Sequence, residues 1–568
     1  MSTSSILPAT WVLICLLGLS ACQPDTSIES PAGADEVERV TLIHHARIYS
    51  FDAAETTIAD GALAFSASGE ILAIGDTPSL LASFAQAEMV DLEGKVVLPG
   101  LIDSHGHLMG LARSLTRADL TGTGSKEQVV QRLRDFAQTL GADDWLLGEG
   151  WDQNDWPDTR FPTSADLDRE FANRPVWLRR IDGHAAWGNA LALAQADRDL
   201  SGDWNPPGGL IHRDAAGEPT GILLDNAMGL VDNAVPPVSE EVLDAALGKA
   251  IDMLLSLGLT GVHDPGLGLA DVRRLQQRIS DGRLPLRVYA MADGIGETLE
   301  WLCQSGPLFD ASGRLVMRSV KLYADGALGS RGAALLADYS DDPGNRGLLF
   351  QDDETVRNNM RRIMSCGLQV GIHAIGDAGN QQALDAYAAV IPEFPHNPGR
   401  HRIEHVQVLA LEDIPRLAQL DLIAAMQPTH ATSDMYWAEQ RLGPQRIKGA
   451  YVWRSLLDSA ARLALGSDFP VEKVSPTLGI HAAITRQDRN GWPDGGWYPD
   501  QRLSRQEAVR GFTLDAAYAA FMEDSTGSLE AGKKADFIVL DRDIMLVPAA
   551  EILQVRVLQT WVDGIRAY

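Results

Sequence analysis

The sequence predicts an α/β chain built as a (β/α)8 TIM-like barrel. A small β-sandwich domain made from both termini accompanies it, with a long insertion after the first barrel strand. Three observations carry this reading. Apolar segments alternate with amphipathic helical stretches through the middle of the chain, the pattern of a parallel sheet covered by helices. Eight of those segments read as strands, the number that closes such a barrel. Short β-branched segments broken by Gly and Asp sit at both ends of the chain, as two halves of one domain would.

Residues 1–21 read as a signal peptide: the apolar run Trp11–Leu19 is too short for a bilayer span of roughly 20 residues. The run ends in Leu19-Ser20-Ala21-Cys22, which resembles a bacterial lipobox and makes Cys22 the lipidated residue. No Lys or Arg precedes the run, so an ordinary signal peptide or a misplaced start stands as the alternative. Gln23 in place of Asp favours the periplasmic face of the outer membrane. The membrane is then met only through this anchor, and residues 22–37 form a flexible tether.

Residues 38–97 form the N-terminal part of the sandwich, with strand segments at Val40–Ile43, Ala64–Ser66 and Ile71–Gly75, most simply paired antiparallel. Residues 526–568 supply the rest through Ala535–Leu540 and Val555–Val562. The barrel occupies 98–525. Its strand candidates are Val96–Asp103, Thr260–Asp264, Leu286–Met291, Val316–Tyr323, Leu368–His373, His401–His405, Leu422–Gln427 and Leu463–Asp468. More than 150 residues separate the first two. The insertion, about 108–245, is therefore expected as a subdomain over the barrel mouth.

Composition excludes several classes. With 77 acidic against 48 basic residues the net charge is −29, which disfavours nucleic acid and anionic membrane as partners. Four cysteines make no disulfide scaffold. Two lie before residue 23, and whether Cys303 and Cys366 pair stays open.

Barrel chemistry sits at the C-terminal strand ends. The first strand ends Asp103-Ser104-His105-Gly106-His107, where residues i and i+2 point the same way, so His105 and His107 can grip one ion. The fifth and sixth strands end in His373 and His405, read together as a second ligand pair. The eighth ends Leu465-Gly466-Ser467-Asp468, with Asp468 as a ligand or the N-cap of the next segment. Lys321 lies on the inward face of the fourth strand. A neutral lysine there can become a carbamate and bridge two metals; an ion pair with Asp325 is the other reading.

In this order and on these strands, His105, His107, Lys321, His373, His405 and Asp468 resemble the amidohydrolase superfamily. The split β domain and the Gly527–Asp536 pattern (Gly-x-Leu-x-x-Gly-x-x-Ala-Asp) resemble it too. Val320–Ser330, His373–Asp377, Gly148–Trp151 and Asp182–Trp187 are similar to the branch of N-substituted formamide deformylases. The resemblance implies one metal on His105, His107, Lys321 and Asp468, and a second on carbamylated Lys321, His373 and His405. Two zinc ions are expected, with manganese or iron as alternatives.

The implied reaction is hydrolysis of a non-peptide carbon–nitrogen bond in a small amide, N-acyl or N-formyl substrate by a metal-activated water. Asp468 serves as general acid/base. Trp151, His184 and Trp187 form a substrate wall or the packing of the insertion. An ester or lactone hydrolase with the same centre, and a non-catalytic binding lipoprotein, are the competing readings.

Overall fold

The computed structural model describes residues 39–141 and 144–568. Cys22, the signal-peptide segment and the tether lie outside the described residues. No helix among the described residues is long and apolar enough to cross a membrane.

The barrel strands are Leu101–Asp103, Leu259–Leu267, Arg287–Asp293, Leu315–Tyr323, Gln369–Ala374, Arg402–His405, Ile423–Met426 and Arg462–Leu465, paired in parallel in that order. The Ser104 amide donates to Leu465 O at 3.1 Å, bringing the end of the first strand against the eighth. The strands are buried along almost their whole length, as a parallel sheet wrapped by helices requires. The helix Glu240–Ser256 shows how the covering layer forms. Ser239 caps it through the Val242 amide, two glutamates fill its first turn, and Leu243, Leu247, Ala250, Ile251 and Leu254 make one buried face.

The sequence reading of Val96–Asp103 as one strand is corrected. Val96–Pro99 pairs with Phe537–Leu540 and with Arg47 and Ile48 in the small sheet, and the barrel strand begins only at Leu101. Gly100 is the joint. A Cβ there would lie 2.2 Å from Thr260 Oγ1, so only glycine lets the chain pass from one sheet to the other.

Strands from both ends of the chain share one eight-stranded sheet. It runs Ile565–Arg566, Val557–Val562, Phe537–Leu540, Val96–Pro99, Val40–Tyr49, Thr57–Ser66 and Ile71–Asp76, with Glu88–Asp91 also beside Val40–Tyr49. Pairing is mixed rather than antiparallel throughout. The helix Thr77–Ser83 carries the chain back over the sheet, so Glu88–Asp91 and Val96–Pro99 return parallel to Val40–Tyr49. Ile43, Ile48, Leu63, Phe65, Val97, Phe537 and Val539 form its core. Arg287, at the start of the third barrel strand, is buried and ion-paired to Asp536 at 2.6 Å and to Asp563, which ties barrel to sheet.

The insertion holds its own six-stranded sheet, spanning Ala118–Asp119 to Pro219–Asp225. Trp151, Trp156 and Trp187 fill its core with ring centroids 6.0–6.4 Å apart. Cys303, on the helix Glu297–Ser305, and Cys366, at the end of Asp353–Ser365, form a disulfide.

Candidate metal centre

The six residues singled out on the barrel strands converge at the C-terminal strand ends. Ring centroids run in a chain: His107 to His105 at 5.4 Å, His105 to His405 at 4.7 Å, His405 to His373 at 4.5 Å. Asp468 faces this chain. Its Oδ1 lies 3.5 Å from His105 Nε2 and 3.2 Å from His107 Nε2. His105 Nε2 and Asp468 Oδ1 are both buried without a hydrogen-bond partner among the described residues. Buried polar atoms are rarely left so. A lone pair and a carboxylate oxygen facing one gap are the donor set of a divalent cation, and His105, His107 and Asp468 fit one.

The surroundings fix the imidazoles in the ligating form. Glu404 Oε2 accepts from His105 Nδ1 at 2.5 Å, leaving the His105 Nε2 lone pair for an ion. Glu404 is in turn held by Arg402, at 2.5 Å to Oε1 and 2.9 Å to Oε2. Against the upward pull of burial, Arg402 and His105 keep the Glu404 carboxyl well below the usual range, so it stays an acceptor. His405 Nδ1 donates to Gln427 Oε1 at 2.9 Å, and the amide of Gln427 donates to Ala425 O, which sets its orientation. Burial, reinforced by the charge of Lys321, pushes His105 down to about 4 and His373 to about 3. Both rings are thus neutral near pH 7, as ligands must be, and burial lowers His405 in the same direction.

Backbone geometry contributes as well. Asp103 Oδ1 accepts from the amides of His105 (3.1 Å) and Ser467 (3.0 Å), and its Oδ2 from the Ser467 hydroxyl (2.6 Å). One carboxylate therefore clamps the first strand end to the eighth. Gly466 permits this approach, since a Cβ there would lie 2.6 Å from Asp103 Oδ1 and from the His105 amide. His405 and Asp468 both adopt left-handed backbone, with φ of 77° and 63°. Such strain costs on the order of 1–3 kcal/mol per residue and concentrates at functional sites.

Lys321 is 1% exposed and its Nζ makes no hydrogen bond or ion pair among the described residues; that atom lies 4.9 Å from the Tyr323 ring centre. Burial lowers its pKa. The alternative partner, Asp325, is committed elsewhere: its carboxylate accepts from the amides of Ala334, Ile375 and Gly376 at 2.8–2.9 Å.

Sequence reasoning missed His430. It lies beyond the seventh strand, its Nε2 is 3.5 Å from Asp468 Oδ2, and it shares a candidate cluster with His405 and Asp468. Gln407 donates to His430 Nδ1 at 2.9 Å, which leaves the ring proton on Nε2, facing the site. Its position after Gln427-Pro428-Thr429, just past a strand end, was the available signal. The roles of Glu404 and Gln427 were also missed.

Trp151, His184 and Trp187 of the insertion do not join this centre. Trp151 and Trp187 are fully buried, donating to Leu178 O and Thr163 O, so neither ring presents a wall to a substrate; packing is their role. His184 is bound to Asp225 at 2.9 Å, which raises its pKa. No hydrogen bond, ion pair or ring contact links these three residues to the barrel histidines among the described residues.

Comparison with known proteins agrees with this geometry. The amidohydrolase family model matches residues 88–568. YtcJ of Bacillus subtilis (strain 168), a protein classed as an amidohydrolase, is 36% identical over 489 residues, covering 84% of this chain and 90% of its own. The N-substituted formamide deformylase of Arthrobacter pascens is 28% identical over 523 residues, 88% of this chain and 93% of that protein. Among solved structures, an uncharacterized metal-dependent hydrolase from Pyrococcus horikoshii OT3 aligns with a TM-score of 0.74 and 29% identity, over 90% of this chain and 99% of that one. By this match along most of its length, the chain belongs to the amidohydrolase family.

Proposed function

We propose that the protein hydrolyses a non-peptide carbon–nitrogen bond in a small amide, N-acyl or N-formyl compound. The observation that carries this is the unpartnered meeting of His105 Nε2 and Asp468 Oδ1, beside His107 and at the end of a barrel. His105, His107 and Asp468 would hold one divalent ion, and His373 and His405 a second, with zinc the occupant best suited to these donors. Lys321 would bridge them. Burial lowers the pKa of its Nζ; in the deprotonated form that nitrogen would add to carbon dioxide, forming an N–C bond as one C=O bond opens and losing one proton, and the resulting carbamate would offer two anionic oxygens. When bound, the ions would supply Lewis-acid polarisation of the scissile carbonyl and of water.

The chain's own groups do the rest. Asp468 accepts the proton released by the attacking water and returns it to the leaving nitrogen, which departs as a neutral amine. His430 Nε2, with its proton and no other acceptor, is placed to donate to the carbonyl oxygen as negative charge builds there. The likeness to an N-substituted formamide deformylase supports the amide reading. Paired N-formyl amine and formate ester substrates of the same carbon skeleton test it: amide turnover with the ester slower or equal supports the proposal. Turnover confined to the ester would replace it with an esterase.

Location belongs to the same proposal. We read Cys22 as a lipidated anchor that holds the enzyme at the outer membrane of a bacterial envelope. The Cys303–Cys366 disulfide supports an oxidising compartment of that kind.

A further inference from the structure

A second group of metal-ligating side chains lies away from the barrel, on the small sheet. His44 and His45 are consecutive in the strand Val40–Tyr49, where neighbours would normally point to opposite faces. Here they do not. The pairing with Thr57–Ser66 slips between Ile43 and Ala46, and His45 takes a left-handed backbone with φ of 52°. This bulge turns both imidazoles to one side, with ring centroids 4.6 Å apart and the two Nδ1 atoms 3.1 Å apart. Asp91, which stands opposite His44 in the parallel pairing with Glu88–Asp91, brings its Oδ2 to 3.1 Å from His45 Nδ1. All three ligand atoms lie within 4.8 Å of one another.

We propose that His44, His45 and Asp91 form a second metal site that takes a zinc-class dication. The spacing suits one ion: ligands at about 2.0–2.1 Å in a tetrahedron stand roughly 3.3 Å apart, close to both measured separations. The chemistry suits it as well. Two facing Nδ1 atoms cannot both donate to each other, and Asp91 can only accept, so one proton must be shared among three atoms that would each otherwise present a lone pair; a cation satisfies them together. The frame is already rigid. The Leu92 amide donates to His44 O at 3.0 Å, the Gly94 amide to His45 O at 2.6 Å, and the His45 amide to Thr77 Oγ1 at 3.2 Å.

His44 is buried, whereas the side chains of His45 and Asp91 are about half exposed (46% and 50%), so the fourth position opens to water. The ion pins the bulge to the neighbouring strand and takes no part in hydrolysis. An oxygen-preferring ion such as Mg2+ does not suit two imidazoles.

The test is calorimetric titration of the full-length holoenzyme, its barrel centre loaded, with Zn2+ and separately with Mg2+. Two variants accompany it. His45→Asn keeps a residue that tolerates left-handed backbone. Asp91→Asn keeps the Oδ1 that accepts from the Glu93 amide at 2.9 Å, so the turn is preserved. The expected result is one further Zn2+ equivalent in the parent and none for Mg2+. Each variant should bind this equivalent weaker by about tenfold or more, with hydrolytic turnover unchanged as proof of folding. Absence of the extra equivalent in the parent, or equal affinity in parent and both variants, would overturn the proposal.

Discussion

Lys321 is the residue on which the proposed bridged pair of metals depends. Unmodified and charged it would repel both ions; as a carbamate it would offer an oxygen to each. Lys321→Ala is expected to lose metal and activity together while every histidine remains, and acetate or propionate is expected to restore part of both by supplying the missing oxygens. Metal stoichiometry with and without propionate checks this, and two ions in the unsupplemented variant would sink the bridging role. Asp468→Asn is expected to lower turnover by roughly 100-fold or more, because the amide neither takes the proton nor binds the ion as an anion. Near-normal steady-state turnover with full metal content would return Asp468 to a capping role.

The residue scale also shows what a sequence discloses. His-x-His after a buried run is legible because strand alternation alone aims both rings. His405 sits next to Glu404 on the same strand, and alternation would send them to opposite faces. The positive φ at His405 brings its ring into the site beside Glu404, and no periodicity reports that. His430 escaped for a related reason: it stands on a short helix after the strand, where position is set by tertiary packing.

At the scale of elements, seven of the eight barrel strands were readable because each is a short buried run set between helical stretches. The first was misread because two buried strands joined end to end look like one apolar segment. Gly100 was the visible sign of the break. Gly100→Val should drive a side chain into Thr260 and cost about 1–3 kcal/mol of stability, as overpacking does. Denaturant unfolding of the metal-loaded enzyme measures it, and an unchanged midpoint would show that the joint can yield. The parallel returns within the small sheet were not legible, since strand direction depends on the route of the Thr77–Ser83 crossover and not on strand composition. The insertion's tryptophans pose the opposite difficulty: aromatic residues in a motif suit a binding wall and a core equally, and burial alone separates the two.

At the scale of the whole molecule, one sheet gathers both ends of the described chain and locks onto the barrel through Arg287. The candidate metal centre sits at the opposite, C-terminal ends of the strands, so the sheet contact and the candidate site occupy different faces, as is usual for such barrels. The proposed anchor adds a third separation, and Cys22→Ser is expected to move the enzyme from the membrane fraction to the soluble one with turnover intact. Activity assays on both fractions decide it, and a variant still held in the membrane would refute the anchor.

The barrel centre is proposed to work through bound metal on an amide. Its most direct test is N-formyl amine hydrolysis by the purified enzyme before chelation, after chelation, and after Zn2+ is returned, with bound metal measured at each stage. Activity is expected to fall with the metal and to return with it. Full activity in enzyme stripped of metal would contradict it.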